Sequence, residues 1–223
     1  MISHTLEMRP LLRIKVKEQD LIQDELFQKT ELLLESEPNN FDLEYYEFMN
    51  SIKTAFYFQA WINEKDEDYL LENFNIRPGE IRIKLEIADW LLYASEELSV
   101  ILNQKENQKE NHKDNQKDNE KNKLKDDYKH TIKEIKKLRI RVKKGVKEEL
   151  LPLLKIKGIG RVRARKLFTQ GIKDLNNLKN TDLTSLSQVI GKNTASNIKN
   201  QLGEEVKEIP KGTRKGQLSL MKF

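Results

Sequence analysis

Apolar residues recur at helical spacing in several separate stretches of the chain. Leu21, Ile22, Leu26, Leu32 and Leu33 predict a helix over 17–36, and Pro38, Asn39 and Asn40 break it. A second helix is expected over 42–62, with Asp42 as its N-cap. Its apolar side, Tyr45, Met49, Ile52, Phe56 and Ala60, is broad enough to be well buried. A short helix follows around Asp66–Phe74. Arg77, Pro78, Gly79 and Glu80 then open a long helix to about Leu102, because proline suits a first turn whose N–H needs no partner. Periodicity resumes over 126–144, where Tyr128, Ile132, Ile135, Leu138 and Val142 share one side until Gly145 interrupts. Residues 146–202 read as short helices, and after Gly203 the text turns polar and basic.

Between the two long helical patterns lies a four-residue repeat of polar and charged types, residues 103–122. It has no apolar face to offset the entropy of ordering, so a solvated insertion is expected, either disordered or a frayed helix. The fold class expected is all-α. A ratchet-like helical bundle over 1–153, with a low-complexity insertion at 103–123, precedes a small tandem helix-hairpin-helix domain over 154–203 and a flexible basic tail over 204–223.

Composition narrows the function classes. The chain has 223 residues, with only 9 Gly and 5 Pro, which favours helices joined by short connections over a β sandwich. It contains no Cys, which removes disulfides and cysteine-ligated zinc, and His4, His112 and His130 are isolated. No metal or other cofactor is therefore expected. No apolar run approaches the roughly 20 residues of a membrane span, and the first residues lack the order of a signal peptide. A cytoplasmic, nucleoid-associated protein with no membrane contact is the expectation.

The net charge of +5 hides an asymmetry. Residues 1–103 hold 10 basic and 21 acidic residues, whereas 124–179 hold 18 basic and 6 acidic. Positive charge concentrated in a quarter of the chain is the footprint of a polyanion-binding surface.

Within that segment, Ile156, Gly158, Ile159, Gly160, Ala164 and Leu167 form the spine of a hairpin between two helices. Glycines allow a tight turn, Ile159 can plug the core, and Ala164 lets the helices approach. A helix starting at Gly160 would present free N–H groups to a phosphate oxygen, surrounded by Arg161, Arg163, Arg165 and Lys166. Such contacts position a protein on DNA without reading sequence. A second copy runs from Val189 through Ile190, Gly191 and Lys192 to Ala195 and Ile198. Gly191 and Lys192 would be its backbone contact, although the copy lacks one glycine and could equally be a structural partner.

On these residues the chain resembles the archaeal DNA repair helicases of the Hel-three-oh-eight type, in the Ski-two-like group. Gly145–Leu150 leading into Lys157–Leu167 is similar to that family's hairpin domain. Ala60–Glu64, Pro78–Glu80 and Ala88–Tyr93 are similar to its helical ratchet domain. The resemblance implies that Trp90 stacks on a base of the translocating strand; periodicity alone would make it a core aromatic. The family also places a basic residue about two turns before that aromatic. Here Ile83 stands seven before Trp90, so Arg82 and Lys84 on either side become the candidates.

No GxxxxGK[ST] phosphate loop is present, and the family's two ATPase domains have no counterpart in this text. The chain alone is therefore not expected to be an enzyme. It is expected to act as a DNA-binding accessory region of a 3′–5′ helicase, with motor domains possible in trans. Gln217, Leu220 and Phe223 resemble the motif that docks on the sliding clamp PCNA. This leaves two other readings open: an adaptor between clamp and DNA or motor, and the DNA-binding module of a structure-specific nuclease.

Overall fold

The computed structural model describes residues 2–33, 36–110 and 118–203. These are helical with no strand among them, and the chain divides into two compact units, Met1–Leu151 and Pro152–Phe223. No helix among the described residues is long and apolar enough to cross a membrane.

The first unit contains α1 (Gln19–Phe27), α2 (Leu43–Ile62), α3 (Glu67–Phe74), α4 (Pro78–Glu110) and α5 (Asp118–Lys144). Three apolar clusters hold it together. Leu26 of α1 packs on Tyr45, Phe48, Met49 and Ile52 of α2. Tyr57 of α2 meets Leu70, Ile76 and Ile81 around α3 and the start of α4. Met8, Ala88, Leu92 and Val142 join the N-terminal turns to α4 and α5. The last pair packs along its length, and Trp61 closes the far end of α2 on it by donating Nε1–H to the Val142 carbonyl at 2.7 Å.

Polar side chains of α2 and α4 hold the extended segment that precedes α1. Thr54 and Asn50 accept the N–H groups of Leu12 and Ile14 at 3.0 and 2.8 Å. Lys53, fully buried, donates to the Arg13 carbonyl at 3.0 Å and pairs with Glu18. Helix side chains thus do for this strand-like segment what a neighbouring strand would do in a sheet, and its buried amides are satisfied.

The helix expected over 17–36 is shorter. A 3-10 turn at Val16–Glu18 leads into α1, which ends at Phe27, and a second 3-10 turn covers Thr30–Leu32. The Thr30 hydroxyl donates to the Leu26 and Phe27 carbonyls, competing with the helical ladder at the break. Leu26 is buried and Ile22 and Leu33 are half-buried, but Leu21 and Leu32 face solvent. Asp42 precedes α2 without a side-chain capping bond; its carboxylate accepts from the Asn39 N–H instead.

Pro78 is the first residue of α4, and Glu80 reaches back to the Arg77 N–H at 2.9 Å, half of a capping box. The helix continues past Leu102 to Glu110, and α5 begins at Asp118. Of the two forms expected for the insertion, its described parts take the helical one. Glu, Lys and Gln are good helix formers, and extending an existing helix needs no new nucleus. Gly145, at φ 62°, ends α5 with its N–H on the Arg141 carbonyl.

The second unit has a 3-10 turn at Leu153–Lys155, then α6 (Arg161–Thr169), α7 (Leu175–Asn180), α8 (Leu183–Ile190) and α9 (Lys192–Gln201). Its core is Leu153, Ala164, Leu167, Leu178, Leu186, Ala195 and Ile198, none exposed at all. Lys199 is also buried and donates to the Lys179 carbonyl at 2.6 Å. The proposed tail, with Gln217, Leu220 and Phe223, and residue His112 lie outside the described residues.

Candidate nucleic-acid interface

Two hairpins of the second unit share one plan. In the first, Ile159 is buried just before the cap Gly160 of α6, with Ala164 and Leu167 inside. In the second, Ile190 is buried just before the cap Gly191 of α9, with Ala195 and Ile198 inside. Asp174 and Asp182 cap α7 and α8 through the N–H groups of Asn177 and Ser185. By contrast, neither Gly160 nor Gly191 has a side chain to cap its helix. Both helices thus start from bare glycine caps, and the positive dipole end of a helix suits an anionic acceptor.

The glycines differ in what they do. Gly158 sits at φ 95°, a region L side chains rarely adopt, so the turn requires it. Gly160 is extended, at φ −104° and ψ −175°, and a Cβ there would meet nothing within 4 Å. The fold does not need glycine at 160, contrary to the expectation that both glycines make the turn. In the second hairpin the positive φ, 87°, falls on Gly191 itself. Val189 lies within α8, which explains why that copy manages with one glycine: its turn is a single residue between two helices.

Cations surround the first hairpin. Arg163 is exposed and donates to the Gly158 carbonyl at 2.8 Å, closing the turn from the solvent side. Lys166 is exposed, while Arg161 and Arg165 are half-buried. Arg165 and Lys173 approach the Phe168 ring at 5.3 and 5.6 Å, so one aromatic organises two charges. Lys173 was not among the residues singled out in the sequence; its signal lies only in its nearness to Phe168. Gln201 clasps the first turn from α9, accepting the Lys157 N–H at 3.1 Å and donating to its carbonyl at 3.0 Å. Lys192 is half-buried at the start of α9.

In the first unit, Trp90 is 56% exposed on α4 and lies outside the three apolar clusters of the described residues, so it is not the core aromatic that periodicity alone suggests. Arg82 is also exposed, paired with Glu86 at 3.0 Å. Lys84 is the exception among the candidates. It is 7% exposed and donates to the Pro10 carbonyl at 2.6 Å, and burial holds its pKa below the usual lysine range, with Glu80 opposing. It fastens the N-terminal segment to α4 and does not face solvent beside Trp90. Asp89, next in sequence to Trp90, accepts from Arg139 at 2.7 Å and pairs with Lys143 at 3.4 Å.

Comparison with known proteins matches residues 1–116 to the family model described as archaeal helicase, domain 4, and residues 150–204 to a SAM-like helix-hairpin-helix tandem. An ATP-dependent DNA helicase Hel308 of Pyrococcus abyssi is 34% identical over 98% of this chain. The Hel308 of Methanocella arvoryzae is 32% identical over 82% of it, and that of Methanocaldococcus jannaschii 31% identical over 91%. The chain spans 27% of the Pyrococcus protein, 22% of the Methanocella protein and 14% of the Methanocaldococcus protein. With a helicase domain matched over more than half its length and a hairpin tandem beyond it, the chain belongs to the Hel308-type archaeal DNA helicase family.

Proposed function

We propose that this chain is the DNA-handling region of an ATP-dependent 3′–5′ DNA repair helicase. Its second unit grips backbone phosphates without regard to sequence, and α4 guides a single strand past Trp90. The observation that carries the reading is the pair of helix starts at Gly160 and Gly191. Both caps are glycines without a side chain, and the helix that follows the first carries Arg161, Arg163, Arg165 and Lys166. Phosphate oxygens suit such N–H groups, and the cations add a sequence-independent attraction. Ile159 and Gly158 shape the turn, and Lys192 with Gly191 supplies the second contact.

The motor lies, on this reading, in domains outside the chain, in cis or in trans, consistent with relatives several times its length. The tail residues Gln217, Leu220 and Phe223 would add a PCNA contact, which a clamp pull-down with and without 217–223 tests directly.

The main test is fluorescence anisotropy on forked and single-stranded DNA over a salt series without ATP. Affinity should fall steeply with salt and vary little with sequence. Absence of binding even at low salt would make the hairpins purely structural and overturn the reading.

A further inference from the structure

Five exposed apolar residues of α4 other than Trp90 stand out: Ile83, Tyr93, Leu98, Ile101 and Leu102. Tyr93 differs from the rest because a charged side chain of the neighbouring helix covers one face of its ring. The Arg139 guanidinium carbon of α5 lies 4.7 Å from the ring centroid. That guanidinium is itself fixed, by Asp89 at 2.7 Å and Glu96 at 3.5 Å. Tyr93 remains 45% exposed and lies outside the three apolar clusters of the described residues.

Tyr93 is three residues after Trp90. On a helix the two side chains are neighbours, separated by a rise of about 4.5 Å. Successive nucleotides of a stacked strand are about 3.4 Å apart, so adjacent bases can reach both rings. Tyr93 also lies on the α5 side of Trp90, towards Lys136 and Lys143, whose side chains are 56% and 59% exposed. Their ion pairs with Glu96 and Asp89, at 3.6 and 3.4 Å, are long enough for phosphate to compete for the ammonium groups.

We propose that Tyr93 is a second base-stacking platform beside Trp90, and that Arg139 is the positioning residue that holds its ring flat to the strand. The ligand is a single-stranded nucleic acid, bound by two adjacent bases. This rests on the strand-guiding reading of Trp90. An aromatic face held by a cation on one side offers its other side to any base, since every base has a π face.

The test measures anisotropy of the full chain with fluorescent oligothymidylate and with an abasic strand of the same length. The ratio of the two affinities isolates base stacking from the phosphate grip of the hairpins. Wild type should favour oligothymidylate. Tyr93→Leu, which keeps apolar volume but removes the ring, should lower the ratio about fivefold or more, and Tyr93→Phe should preserve it. Arg139→Gln should lower it to a smaller degree. Circular dichroism confirms that each variant keeps its helices. A ratio unchanged by Tyr93→Leu but lowered by Trp90→Ala overturns this inference and leaves the strand-guiding reading intact. A wild-type ratio near one defeats that reading itself, and this inference with it.

Discussion

Gly158 and Gly160 are two residues apart, yet they answer to different demands. Gly158→Ala forces a Cβ into φ 95° and should cost about 1–3 kcal/mol of stability. Gly160→Ala meets open space at an ordinary φ, so stability should stay within about 0.5 kcal/mol while DNA affinity falls severalfold. Urea denaturation beside anisotropy separates the two; equal losses of stability would show that 160 is a folding glycine after all. For the charges, replacing Arg161, Arg163 and Arg165 together with Gln should weaken binding to all sequences alike. It should also flatten the dependence of log affinity on log salt by up to about 0.9 per lost phosphate contact on duplex DNA. An unchanged slope would remove these arginines from the interface. Lysines show why residue type alone misleads: Lys53, Lys84 and Lys199 are counted in the net charge, yet all three are internal and spend their ammonium groups on backbone carbonyls.

At the scale of elements, the turn of α4 that carries Trp90 is held to α5 through Asp89. Burial alone would raise that carboxyl's pKa, but hydrogen bonds and charge from Arg139 and Lys143 outweigh it and hold the pKa below the usual aspartate value. A carboxylate lowered in the folded state contributes stability that is complete above its unfolded pKa of about 3.9. The contribution is lost as pH falls through the lower folded value. Acid titration of the urea midpoint should therefore show added destabilisation below about pH 4, and Asp89→Asn should remove part of that dependence. Capping offers a second element-level expectation. Asp174 holds the first turn of α7 through the Asn177 N–H at 2.7 Å, and Asp174→Ala should cost about 1 kcal/mol with DNA binding unchanged. Loss of affinity in proportion to that of the arginine variant would instead place α7 in the interface. Legibility also varied by element. The long helices from Pro78 and toward Gly145 could be read from periodicity and stop signals. The 17–36 stretch could not, because the Thr30 hydroxyl breaks a ladder that the spacing of leucines alone would continue.

For the whole molecule, the two units differ in the sign of their net charge, with the positive charge beginning at residue 124 inside α5. Residues 1–151 carry a net −5 and residues 152–223 a net +10. Produced separately, 152–223 should bind duplex DNA with a steep salt dependence, and 1–151 should bind duplex weakly at any salt. Equal salt slopes for the two pieces would contradict the assignment of the phosphate grip to the second unit. The sequence by itself determined the all-α class, the hairpin spine and the helicase resemblance, because helical periodicity, glycine spacing and charge clustering are local properties. Only the tertiary structure decided which cations are buried, that Trp90 and Tyr93 face outward, and that Gly160 is not needed by its own turn. Those outcomes depend on which elements pack against each position: Lys84 is turned inward by carbonyls 74 and 76 residues away in the chain, and Arg139 meets Asp89 across 50. No spacing rule within a single helix carries that information.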